Sequence, residues 1–187
     1  TLAGTGDDAI RPASTILVAP AIHGWDSLPW IQRLALRLGH WIAPGARPRQ
    51  SWARAVVDIR VTDDPTIARL QARDPHMLRA IRIDMIHGVV DLMDHALQRI
   101  PALPPATLVL YGERDDIIPH TAACALFAQL GGAGPGIALQ LYPDGYHYLT
   151  RDRQRGRTIV DIRNWLDGRR ALDGVITPAA ARGRLCD

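Results

Sequence analysis

Three short apolar runs, each ending in turn-forming residues, set the pattern of this chain. Thr15-Ile16-Leu17-Val18-Ala19-Pro20, residues 107–111 and residues 137–142 are too short for buried helices and rich in β-branched or aromatic side chains. They predict buried strands of a parallel sheet. Between and after them the period changes to three and four. Leu28, Ile31, Leu34, Leu38 and Ile42 predict an amphipathic helix within residues 21–75. Leu78, Ile81, Met85, Val89, Leu92 and Leu97 predict a longer helix over residues 75–100, stopped by Pro101. Further helices are expected over residues 121–130 and 156–166, the latter with Ile159, Ile162, Trp165 and Leu166 facing inwards. Strands alternating with helices predict an α/β fold with right-handed crossovers.

Residues 21–75 stand apart. Trp25, Trp30, Trp41 and Trp52 lie here, and Pro29, Pro44 and Pro48 break the segment into short pieces. Short aromatic-rich helices inserted between strands read as a cap over a pocket, with Ile22, Trp25 and Trp30 as candidate lining residues; packing in the core is the competing reading for each tryptophan. Residues 168–187 are rich in Arg, Ala and Gly and are expected to form a flexible tail after a single domain over residues 1–167.

Composition narrows the function. The 47% hydrophobic and 22% charged fractions are those of an ordinary globular chain. No apolar run approaches the ~18 residues of a membrane helix, and residues 1–13 carry no signal-peptide pattern. The pI of 9.3 arises from arginines scattered among 19 acids, with one basic cluster at residues 151–157. That argues against nucleic acid as a partner. Cys124 and Cys186 are few and far apart in sequence, which suggests neither a disulfide framework nor zinc, and a reducing, cytoplasmic setting is the expectation. The glycines of residues 131–136 follow a helix and precede a strand, the reverse of a dinucleotide cradle. The polar residues Asp84, His87, Asp91, Asp94 and His95 match no familiar metal spacing and read as a hydrogen-bonded face. Nothing implies a metal or an organic cofactor.

The chemistry concentrates after the second and third strands. Gly112-Glu113-Arg114-Asp115 places an acid in the loop after one strand, and Asp144-Gly145-Tyr146-His147 places a histidine after the next. In parallel α/β sheets the carboxyl ends of strands are where ligands and reacting groups gather. A carboxylate that orients an imidazole, which in turn takes a proton from a nucleophile, is the acid/base part of a catalytic triad.

Gly112-Glu113-Arg114-Asp115 with Ile117-Ile118-Pro119, followed by Tyr142-Pro143-Asp144-Gly145-Tyr146-His147, resembles the α/β-hydrolase superfamily, in its monoacylglycerol lipase and lysophospholipase (serine aminopeptidase-like) branch. Val18-Ala19-Pro20-Ala21 resembles the strand entering that family's cap, and residues 73–94 resemble its cap-to-core segment. The likeness spans residues 10–167. It implies Asp115 as triad acid, ahead of Asp116, and His147 as base. The family's Gly-x-Ser-x-Gly elbow is absent: Ser14, Ser27 and Ser51 lack that setting, and neither Cys124 nor Cys186 is placed to replace it. The resemblance therefore implies the C-terminal portion of an α/β-hydrolase fold, about three parallel strands with flanking helices and a helical cap insertion near residues 21–75. It implies hydrolysis of carboxylic esters of the acylglycerol or lysophospholipid type. The partners expected are an acyl ester or lipid substrate, a missing N-terminal half, and peripheral contact with a membrane. Peptide, thioester or haloalkane cleavage by the same triad, and a catalytically inactive remnant that binds or complements another half, are the alternatives.

Overall fold

The computed structural model describes residues 12–22, 24–48, 60–78, 80–134, 136–169 and 172–186. Trp52 and Ser51 lie outside them. Strands β1 (Thr15–Val18), β2 (Thr107–Gly112), β3 (Ile137–Tyr142) and β4 (Val175–Ile176) form one sheet in the order β1-β2-β3-β4. The first three are parallel, and β4 joins β3 antiparallel. Helices α1 (Trp30–Ile42), α2 (Pro65–Arg73) and α3 (Ile83–Gln98) fall between β1 and β2, α4 (His120–Gly131) crosses from β2 to β3, and α5 (Arg155–Leu166) and α6 (Pro178–Leu185) follow. The three apolar runs are strands, and the α/β class holds.

β2 is apolar at successive positions because both of its faces are covered, as in buried parallel sheets. Val109 and Tyr111 pack with Leu139 and Leu141 under α4, against Leu126, Phe127 and Leu130. Leu108 and Leu110 turn the other way and pack with Tyr142, Leu149 and Trp165 of α5. Trp165 also donates its indole N–H to Ser14 Oγ at 2.7 Å, which ties α5 to the entry of β1. β1 pairs with β2 alone, and among the described residues its other edge has no strand.

Four expectations change. The long helix expected over residues 75–100 begins only at Ile83, and its expected apolar stripe is not a core stripe: Met85, Val89 and Leu92 are exposed and Val90 is the buried residue. α1 forms where its period requires, yet Ile31, Leu34 and Leu38 are each at least half exposed. On α5, Trp165 is buried as expected, whereas Ile159 and Leu166 face solvent. The described residues 172–186, within the stretch expected as a flexible tail, are folded. They build β4 and α6, the latter capped by the Thr177 hydroxyl and sealed into the core by Ala181, which has no exposed surface.

The cysteine reading is overturned as well. α6 folds back along α4 and brings the Cα atoms of Cys124 and Cys186 to 5.8 Å, joined as a disulfide across 62 residues. Sequence separation sets no limit once two helices pack side by side. With this bond in place, cysteine usage no longer argues for a reducing compartment. No helix among the described residues is long and apolar enough to cross a membrane.

Candidate active site

β2 and β3 run in register to their ends, where Gly112 is paired with Tyr142. Their exit loops therefore start level and side by side. Glu113 N–H and Gly145 N–H both donate to the Tyr142 carbonyl, at 3.0 and 2.9 Å, and Arg114 N–H donates to the Gly145 carbonyl at 2.9 Å. Two glycines make this approach possible. A Cβ on Gly112 would lie 2.4 Å from the Gly145 carbonyl oxygen, and one on Gly145 would meet Leu149 at 2.5 Å.

Out of this joint come the two polar groups. Asp115 Oδ1 accepts the N–H groups of Ile117 and Ile118 at 2.8 and 3.1 Å. Its Oδ2 lies 2.8 Å from His147 Nδ1. The carboxylate is fully buried and the imidazole mostly so. With Oδ1 occupied by backbone, the carboxylate has one fixed rotamer and one free oxygen, and that oxygen selects the ring nitrogen that carries the proton. Nε2 is then the nitrogen turned to any reacting group. The Asp115 charge also acts on Tyr111, whose phenol is pushed up by burial first and by this carboxylate second.

The histidine loop has its own support, which the sequence did not disclose. Asp152 is fully buried and accepts the Tyr146 N–H at 2.8 Å, immediately before His147. Burial raises the Asp152 carboxyl above the ordinary carboxylate range, against the lowering effect of that hydrogen bond. Arg114 lies 2.7 Å from Asp144 and so links the acid loop to the histidine loop. From the segment before α2, Val61 accepts the Tyr148 N–H at 2.9 Å, and Asp116 Oδ2 receives the Arg60 N–H at 3.4 Å. Asp116 thus bonds to Arg60 and Asp115 to the histidine. Asp152 could have been suspected only as an acid five residues after His147; its partner is a backbone amide, which leaves no trace in side-chain pattern.

The remaining candidates lie apart from this pair. Ile22 is half-buried against the core on the α4 side. Trp25 donates its indole N–H to Asp91 at 2.7 Å and packs edge-on against His87, with Arg37 over its face. Trp30 is exposed at the start of α1. On α3, His87 lies 3.0 Å from Asp91 and stacks on His40, so these polar groups bond to one another. The two described serines are engaged elsewhere: Ser14 donates to the Ala106 carbonyl, and Ser27 to that of Gly24.

Comparison with known proteins bears on the family and the fold. The family model described as serine aminopeptidase, S33 (Hydrolase_4) matches residues 3–154. The chain belongs to this family. It is 24% identical over 156 residues to a monoacylglycerol lipase of Mycolicibacterium smegmatis, covering 82% of this chain and 53% of that protein. Its fold matches the crystal structure of the Paleococcus ferrophilus monoacylglycerol lipase with a TM-score of 0.68 at 19% identity, over 87% of this chain and 60% of that one. The chain thus spans about half the length of the curated relative it matches. The fold is accordingly a partial α/β-hydrolase fold.

Proposed function

We propose that this chain supplies the acid and the base of a serine-type hydrolase acting on carboxylic esters, with acylglycerols or lysophospholipids as the substrate class. One observation carries the reading: Asp115 Oδ2 stands 2.8 Å from His147 Nδ1 while Oδ1 is held by two backbone amides. In this role Asp115 keeps the imidazole proton on Nδ1. Nε2 takes the hydroxyl proton as serine attacks the ester carbonyl, then delivers it to the departing alcohol; the same nitrogen activates the water that cleaves the acyl-enzyme.

The serine belongs, on this reading, to the half of the fold that the longer relatives possess in addition. Two facts support that: both described serines are bonded away from His147, and β1 offers an edge with no neighbour among the described residues. The engagement of Ser14 and Ser27 equally favours a second reading, a non-catalytic half that binds or complements another chain.

The test joins this chain to the N-terminal portion of the mycobacterial relative and compares hydrolysis of a monoacylglycerol, a lysophospholipid and an aminoacyl amide. Ester cleavage that disappears in His147→Ala supports the proposal. Cleavage of the amide alone would move the substrate class to peptides, and no cleavage of any substrate by a folded, joined protein would favour the non-catalytic reading.

A further inference from the structure

α6 reaches the acid loop at both of its ends. At the near end, Arg184 Nη2 lies 2.8 Å from Glu113 Oε1, a charge contact with poor hydrogen-bond alignment, and Glu113 is the first residue after β2. At the far end, His120 opens α4 directly after Pro119, and its Nε2 contacts the Leu185 carbonyl. The segment between these anchors is the one that folds around Asp115. α6 itself is weakly built. It has eight residues, fewer than an isolated helix needs. It buries Ala181 fully and sets only Leu185 and Cys186, partly covered, against the core. An ion pair with one half-exposed partner adds little. The covalent bond from Cys186 to Cys124 is therefore its main fastening, and that bond lines an open surface groove with His120, Thr121, Ala125, Ala128 and Arg182.

We propose that the Cys124–Cys186 disulfide is a redox latch for the acid loop: oxidised, it holds α6 against Glu113 and His120; reduced, it releases α6 and loosens the loop that presents Asp115. The step consumes a dithiol reductant. Its two thiols give two electrons and two protons to the S–S bond, the bond breaks to leave Cys124 and Cys186 as thiols, and the reductant departs as a cyclic disulfide. Glu113, Arg184 and His120 act as positioning residues, since none contacts His147. The functional weight of the latch rests on the reading of Asp115 as triad acid. The latch itself does not, because its test reads backbone order and not hydrolysis.

Amide hydrogen exchange of this chain, measured before and after reduction with thiol content quantified, tests it. On reduction, protection should fall about tenfold or more further at α6 and at the Ile117 and Ile118 amides than at the amides of β2 and β3. In the oxidised protein, Arg184→Ala should lower protection at Ile117 and Ile118 in the same direction, and Arg184→Lys should restore it in part. Equal loss across β2 and β3 would show a bond that serves only global stability and would overturn the latch. So would unchanged protection at Ile117 and Ile118 in both the reduced protein and Arg184→Ala.

Discussion

Asp115 illustrates how much of a candidate site depends on the atoms that hold one side chain still. Its carboxylate has no freedom to choose another partner, because two amides fix one oxygen and the imidazole takes the other. The glycines beneath are as necessary as the acid. Gly112→Ala forces a methyl group into the Gly145 and Tyr146 carbonyls. It should destabilise the chain by about 1–3 kcal/mol, as overpacking does, and urea unfolding measures it. Asp152 makes a sharper case. Its carboxyl is raised by burial, so the folded state binds that proton more tightly than the unfolded chain. The resulting stability is fully present below the ordinary aspartate pKa and is lost as pH rises through the raised value. Asp152→Asn keeps an acceptor for the Tyr146 N–H and removes this titration. Relative to the parent, its urea midpoint should therefore gain as pH rises from acid to neutral, and Asp152→Ala, which strands the Tyr146 amide, should lie about 1–3 kcal/mol below Asp152→Asn at every pH. Asp115 and His147 were legible in the sequence because each follows its own strand by a short, fixed count. Asp152, Glu113 and Arg184 were not, because their partners are backbone atoms or lie on an element with no periodic signature.

Elements were legible in proportion to how fully they are buried. β2 and β3 read correctly, since a residue covered on both faces must be apolar whatever its neighbours are; β1 was legible although only partly buried, and the two-residue β4 was not. α4, with Leu126, Phe127 and Leu130 in the core, matched its expected extent to within a residue at each end. α1 and α3 did not read as well. Their apolar periods are present, yet much of each stripe faces away from the described core, so periodicity located α1 and misjudged the start and the buried side of α3. α6 had no signal to find. Its apolar residues are mostly alanine, and what fixes it is a disulfide with a residue 62 positions away. Cys186→Ser should accordingly cost about 2–4 kcal/mol of stability in the chain-entropy account of cross-links, measured by urea unfolding without reductant. A change well below that range would mean that α6 packing, and not the bond, closes this end of the sheet.

Among the described residues, the sheet is finished on one side and open on the other. β4 is a two-residue strand, as blunt an edge as a sheet can carry, while β1 has no second partner among these residues and Val18 is exposed beside it. Open edges of this kind pair readily with another strand. The acid and base lie at the carboxyl ends of β2 and β3, on the interior of the sheet and not at its finished margin. Under the proposed function, this pair activates a serine carried by the half of the fold that the longer relatives possess in addition. Fluorophosphonate labelling tests it most directly, on the chain alone and on the chain joined to an N-terminal half bearing Gly-x-Ser-x-Gly. The chain alone should take up no label. The joined form should label at that serine, and His147→Ala should slow the reaction by about a thousandfold or more. Stoichiometric labelling of the chain alone, or labelling of the joined His147→Ala form at an undiminished rate, would contradict the claim.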